Sequence, residues 1–251
     1  MELHSFINEQ FNGHIWRMEI DGLSDILFVE IRDNKEKKVC FGSVNLVSGK
    51  VNFKEFSTPE RWLTGIETAY DGVLLLHNYQ SATGPAHKGL VAIDAVTAKT
   101  LWANYNFALD HLSTDGPVVF DTRTQRSKLF LADIKTGTAI RVYESSDNKE
   151  LENNIMFPNR IVPGLLPFSI PVRSEGNVAH YLNYNNFRIV SLHALQADKL
   201  VQLLYIMNGA DLVFEDILNT DIQKIQPEAF IIYKNRLVYI KNKTELNVLS
   251  L

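Results

Sequence analysis

The sequence predicts an all-β protein, a β-propeller of five four-stranded blades, and three observations carry that prediction. A hairpin pattern recurs along the chain. Apolar residues alternate with polar ones in short runs separated by turn signals. The 251 residues have a composition typical of one compact domain, with 45% hydrophobic and 22% charged residues. The clearest copy of the hairpin is GLVAIDAVTAKTLWANYN, from Gly89 to Asn106. Counted from the first polar residue of each copy, Asn45, Asp94, Asp133, His193 and Lys241, the spacings are 49, 39, 60 and 48 residues. That is the period of a four-stranded blade with variable loops.

The predicted strands follow in order. The first blade takes His14–Asp21, Asp25–Asp33, Lys38–Val47 and Lys50–Phe56. The second takes Leu63–Tyr70, Val73–Tyr79, Gly89–Val96 and Thr100–Phe107, with Asp71-Gly72 as the turn between its first two strands. The third takes Leu109–Asp115, Pro117–Asp121, Lys128–Ile134 and Ala139–Glu144. The fourth begins near Phe168–Val172 and continues through Val178–Tyr184, Phe187–Leu192 and Leu200–Met207. The fifth takes Asp216–Gln223, Ala229–Lys234, Arg236–Ile240 and Glu245–Leu251. The leading segment Leu3–Asn8 is left over and is expected to cover the edge of the last blade. In the tight turns VSGK, VTAK and KTGT, the Asn or Asp and the Ser or Thr can bond the turn's own amides. A Gly or small residue accepts the turn backbone.

The hairpin at Asp94, Thr97, Lys99 and Trp102 resembles the repeat of quinoprotein-type β-propellers, which runs as an apolar strand, Asp, Thr-Gly-Lys and then Trp. The other copies carry Phe53, Arg141, Val201 and Leu249 where that repeat has Trp. The chain as a whole resembles a family of uncharacterised bacterial proteins of similar length, through FNGHIWRMEID, Arg61–Tyr79 and HKGLVAIDA. That resemblance implies a fold and brings no activity with it.

A formal net charge of −4 with interspersed signs gives no footing for nucleic acid, and no apolar run is long enough to span a bilayer. The start MELHSFINEQFNG lacks the pattern of a secretory signal, and Cys40 is the only cysteine. The expectation is a cytoplasmic monomer, with Cys40 a buried, inert thiol on a strand.

The tight turns fall on one face of the predicted disc. The longer connections, Ser57–Trp62, Gln80–Lys88 and Ser145–Leu166, fall on the other, which is the expected binding face for a small molecule or a protein. Ser145–Leu166 reads as an irregular excursion over that rim. On that face His77 and His87 stand across the root of a loop. A metal site needs a third ligand, and none is spaced along the sequence to supply it, so neither metal nor cofactor is expected. Trp62, Glu67 and Tyr70 belong to the first strand of the second blade or its entry, where they can line a channel or simply pack. Trp16, Arg17 and Glu19 have the same two readings. The expected function is therefore a non-catalytic binding propeller. The alternative is a glycoside hydrolase using carboxylates at the channel mouth, from Glu67, Asp110, Asp115, Glu215 and Asp216. A quinone-dependent oxidoreductase ranks last, because the chain is short for it and has no vicinal cysteine pair.

Overall fold

The computed structural model describes residues 3–124, 128–144, 149, 151–227 and 229–251. Every strand pairing within its sheets is antiparallel. No helix among the described residues is long and apolar enough to cross a membrane. The strands are β1 (Ser5–Gln10), β2 (His14–Asp21), β3 (Ile26–Asp33), β4 (Lys38–Asn45), β5 (Val51–Phe56), β6 (Thr64–Tyr70), β7 (Val73–Tyr79) and β8 (His87–Asp94). Then come β9 (Thr100–Asn104), β10 (Phe107–Ser113), β11 (Gly116–Asp121), β12 (Phe130–Ala132), β13 (Ala139–Val142), β14 (Ile155–Met156) and β15 (Asn159–Ile161). The rest are β16 (Ala179–Tyr184), β17 (Phe187–Gln196), β18 (Lys199–Asn208), β19 (Asp211–Ile222), β20 (Phe230–Tyr233), β21 (Arg236–Lys241) and β22 (Glu245–Ser250). The chain divides into two compact units, Asn12–Asn153 and Met1–Phe11 with Asn154–Leu251.

The unit from Asn12 to Asn153 holds three four-stranded meanders, β2–β5, β6–β9 and β10–β13. Their bounds follow the predicted ones closely. The run Val73-Leu74-Leu75-Leu76 is apolar at every position because both faces of its sheet are covered. Leu74 and Leu76 pack with Ile26, Phe28, Val39 and Phe41 of the first sheet, whereas Val73 and Leu75 pack with Ala92 and Ile134 on the other side. Cys40 is buried on β4, and that burial pushes its thiol pKa up, as an inert thiol requires.

The three repeated turns share one geometry. In each, a single side-chain oxygen accepts from two backbone amides and one hydroxyl. Asn45 Oδ1 takes Val47 N, Ser48 N and Ser48 Oγ. Asp94 Oδ1 takes Val96 N, Thr97 N and Thr97 Oγ1 at 2.7–3.1 Å. Asp133 Oδ1 takes Lys135 N, Thr136 N and Thr136 Oγ1 at 2.8–3.0 Å. The following small residue, Gly49, Ala98 or Gly137, is left-handed with φ of 73°, 58° and 71°. These turns also link neighbouring sheets. Ser43 Oγ donates to Ala95 O at 2.6 Å, and Trp102 Nε1 donates to Ile134 O at 2.8 Å. Ala95 and Ile134 each follow the turn aspartate of the next repeat. Trp102 is thus explained by construction, since its indole lies against the Cα of Gly137.

The second unit departs from the predicted register. One sheet has the order β15-β16-β17-β18-β19, and the other β1-β22-β21-β20-β14. The segment Phe168–Val172 is not a strand. Phe168, Ile170 and Val172 instead lie against the apolar face formed by Val190, Leu192, Leu203 and Tyr205. Pro167 and Pro171 lack the amide hydrogens that a ladder needs, which accounts for the difference. Asp216–Gln223 does not begin the last sheet. Most of it belongs to β19, which pairs with β18 across the Gly209-Ala210 turn. Consequently His193 and Lys241 are not turn residues equivalent to Asp94. His193 lies inside β17, opposite Gln202, and Lys241 pairs with Glu245.

The described part of the excursion from Ser145 to Leu166 is more ordered than expected. Ile155 and Met156 pair with β20, and Asn159–Ile161 pairs with β16. Residues 145–148 and 150 lie outside the described residues. The leading segment does cover the last sheet, because β1 pairs with β22 from Ser5↔Leu249 to Gln10↔Glu245. Ile7 is buried there.

Candidate functional site

Three chemically active side chains converge at one end of the sheet formed by β6–β9. Period-two alternation puts His77 and Tyr79 on the same face of β7, and pairing places His87 directly opposite Tyr79. Gly89, left-handed at φ 71°, is the extra residue of a bulge in β8 between the Asn78↔Lys88 and His77↔Leu90 pairs. The imidazoles of His77 and His87 then stack, with centroids 3.5 Å apart and planes 7° from parallel. Tyr79 meets both edge-on, at 4.7 and 5.2 Å. Its place in the HNY alternation was the signal that could have flagged it.

The third member arrives through another bulge. Ile66 pairs with Leu76 and Thr68 with Leu75, so Glu67 is the unpaired extra residue of β6. A bulge breaks the ladder and re-aims a side chain, and the freed backbone groups need partners. The first sheet provides them. Glu30 Oε2 accepts from Ile66 N at 2.9 Å. Arg17 donates to Ile66 O and Glu67 O at 2.8 and 3.1 Å. Glu67 Oε2 is thereby held 2.9 Å from Nδ1 of both histidines. The expectation that no third ligand stands near the histidines is corrected: sequence spacing hid Glu67 because it comes from another strand. The three donor atoms lie within 4.8 Å of one another.

The cluster grades from buried to open. The side chain of His77 is 2% exposed, Glu67 14% and His87 34%. Burial alone raises the Glu67 pKa, but the adjacent imidazoles of His77 and His87 outweigh it and hold the carboxyl below its ordinary value. Neighbouring Glu19 is shifted the other way, mainly by burial, despite its 3.2 Å ion pair with Arg17. Gly65 backs His77 closely, since a Cβ there would stand 3.0 Å from Cε1 and Nε2 of the ring.

The remaining predicted residues lie apart from this cluster. Trp62 covers Arg32, whose guanidinium carbon is 5.1 Å from its ring, and Lys37 lies 4.8 Å from the same ring. Arg32 pairs with buried Glu30 at 2.6 Å. Trp16 is the bulge residue of β2, well exposed, with Arg32 at 5.8 Å. Tyr70 donates to Thr114 O at 2.8 Å, so it ties two sheets together at the other end of β6.

The candidate hydrolase carboxylates are mostly committed. Asp110 pairs with His111 at 2.8 Å, Asp115 with Arg141 at 3.5 Å, and Asp216 with Lys241 at 2.8 Å and Tyr239 Oη at 2.9 Å. Glu215 and Asp216 stand on β19 in the other unit rather than on a leading strand. Glu67 is shifted opposite to the direction a general acid requires.

A family described as a domain of unknown function (DUF4905) matches residues 20–102, a span containing Glu67, His77 and His87. No curated protein matches the sequence. Among solved structures, the chain is similar to BamB from Moraxella catarrhalis, with 10% identity, a TM-score of 0.40, and coverage of 99% of this chain and 100% of that one. It is also similar to a europium-containing methanol dehydrogenase, at 8% identity and a TM-score of 0.31, covering 94% of this chain and 52% of that one.

Proposed function

We propose that this chain is a non-catalytic binding module, a five-bladed β-propeller that takes its ligand at the loop-bearing end of the second sheet. The observation that carries the binding reading is the convergence of Glu67, His77 and His87 at the root of the Gln80–Ala86 loop. Two bulges, a pinned backbone and a glycine cradle are more local structure than a packing role needs, and such sites sit on rigid strands flanked by loops. The propeller reading is supported by five antiparallel sheets, each containing a four-stranded meander once β1 completes the last. Three of them repeat the same Asx turn. Blunted carboxylate candidates argue against the hydrolase alternative.

Thermal-shift screening against small molecules and metals tests the binding reading, because a ligand specific to the native state raises the melting temperature. A hit whose shift disappears in His87→Ala supports it. A hit unaffected by substitution at Glu67 and His87 moves the site elsewhere. Small-angle scattering tests the architecture: one compact propeller of 251 residues has a radius of gyration of about 18 Å. A clearly larger value, from two units tumbling on linkers, would contradict it.

A further inference from the structure

We propose that Glu67, His77 and His87 form a binding site for a divalent transition metal, of which Zn²⁺ is the natural probe. This deepens the binding reading above and rests on the same cluster. The donor set is two imidazole nitrogens and one carboxylate oxygen, with no thiolate nearby among the described residues. Imidazole and carboxylate suit Zn²⁺, Co²⁺ and Ni²⁺, and three protein ligands leave a coordination position for water or a further ligand.

Two observations point to a ligand independently of the spacing. Buried His77 has neither ring nitrogen in a well-formed hydrogen bond, although Nδ1 lies 2.9 Å from Glu67 Oε2. A buried polar ring so poorly paired is costly, and metal coordination through Nδ1 replaces the misaligned carboxylate contact at that nitrogen. Second, both Nδ1 atoms approach the same carboxylate oxygen. One oxygen shared by two stacked rings is a poor pairing scheme but a natural convergence of three ligands. Around a tetrahedral ion with bonds of about 2.1 Å, neighbouring donors stand roughly 3.4 Å apart. The 2.9 Å donor spacings therefore have to open by about half an ångström.

The imidazoles must also tilt, because an ion lies in the plane of each ring it binds. His77 is held against Gly65 and moves little. His87 is half-buried at the first position of β8, beside the loop, and supplies the adjustment. Arg17 and Glu30 keep Glu67 aimed at the site by pinning its bulge, as outer partners orient metal ligands elsewhere.

The test is calorimetric titration of the full chain, stripped with chelator, against Zn²⁺, with Co²⁺ absorption as a second readout. Wild type is expected to bind one ion and to give the visible spectrum of tetrahedral Co²⁺. His87→Ala and Glu67→Gln are each expected to weaken binding at least tenfold. Their circular dichroism and metal-free melting temperatures show whether they remain folded. Gly65→Ala, which crowds His77 without removing a donor, is expected to weaken Zn²⁺ to a lesser extent. No binding by wild type, or equal affinity in His87→Ala and Glu67→Gln, overturns the metal site. If an organic ligand from the screen still loses its shift in His87→Ala while Zn²⁺ does not bind, the metal inference fails and the binding reading stands.

Discussion

Gly137→Ala is expected to be among the most damaging single-methyl additions in the chain. Gly137 has φ 71°, where an L-residue is strained by about 1–2 kcal/mol. Ala98 occupies the same turn position in the preceding sheet at φ 58°, so backbone strain alone is tolerated. The larger effect comes from Trp102. A Cβ on Gly137 would stand 2.4 Å from Cδ2, 2.6 Å from Cε3 and 2.9 Å from Cε2 of the indole. The ring has to move, which costs about 1–3 kcal/mol as overpacking. Moving it also breaks the 2.8 Å bond from Nε1 to Ile134 O, worth about 1 kcal/mol. The expected loss is about 3–6 kcal/mol, a large part of a typical domain's stability. Urea unfolding followed by fluorescence and circular dichroism measures it. Combining the change with Trp102→Ala should recover most of the clash contribution, a coupling that a double-mutant cycle isolates. A loss below about 1 kcal/mol, or an equal loss with and without Trp102, would refute the idea that indole and glycine hold adjacent sheets together.

Ala98→Gly should stabilise the protein by up to about 1 kcal/mol by removing left-handed strain, read from the urea midpoint. Arg32→Met leaves buried Glu30 without its 2.6 Å partner and should cost about 3–5 kcal/mol, whereas removing both charges together should cost less. Asp94 and Asp133 have carboxyl pKa values lowered chiefly by their turn hydrogen bonds with Thr97 and Thr136. Their contribution is therefore fully present above the unfolded carboxylate pKa and is lost as pH falls through the lower folded value. The acid limb of the stability curve should flatten in Asp94→Asn. Asp121, hydrogen-bonded by Arg123, should titrate at about 2 by NMR.

The first unit was legible in the sequence because its signals are local. Asp94, Thr97 and Ala98 close a turn with their own side chains and backbone, and the VLLL run states that both faces are covered. The second unit was harder to read, since the Asx turn is absent from its hairpins at Ala197-Asp198 and Asn242-Lys243. There the left-handed residues lie side by side. Without that marker the strand order slips, and Asp216–Gln223, most of which lies in β19, reads as the first strand of the last sheet. At the site, the approach of His77 and His87 followed from their places at a loop root. Glu67 did not, because a bulge defeats the alternation from which facing is inferred, and its pinning by Arg17 and Glu30 crosses sheets. Tyr70 and Trp62 shared Glu67's neighbourhood in sequence, but partners at Thr114 and Arg32 hold them away from the histidines.

The central claim is that Glu67, His77 and His87 close on one ion. A crystal structure from Zn²⁺-soaked crystals, with data collected on both sides of the zinc absorption edge, tests it most directly. The account predicts one anomalous peak about 2.0–2.2 Å from Glu67 Oε2 and from Nδ1 of both histidines, with the rings tilted out of their stack. Stacked rings with no peak between them, or a peak on other histidines, would contradict it.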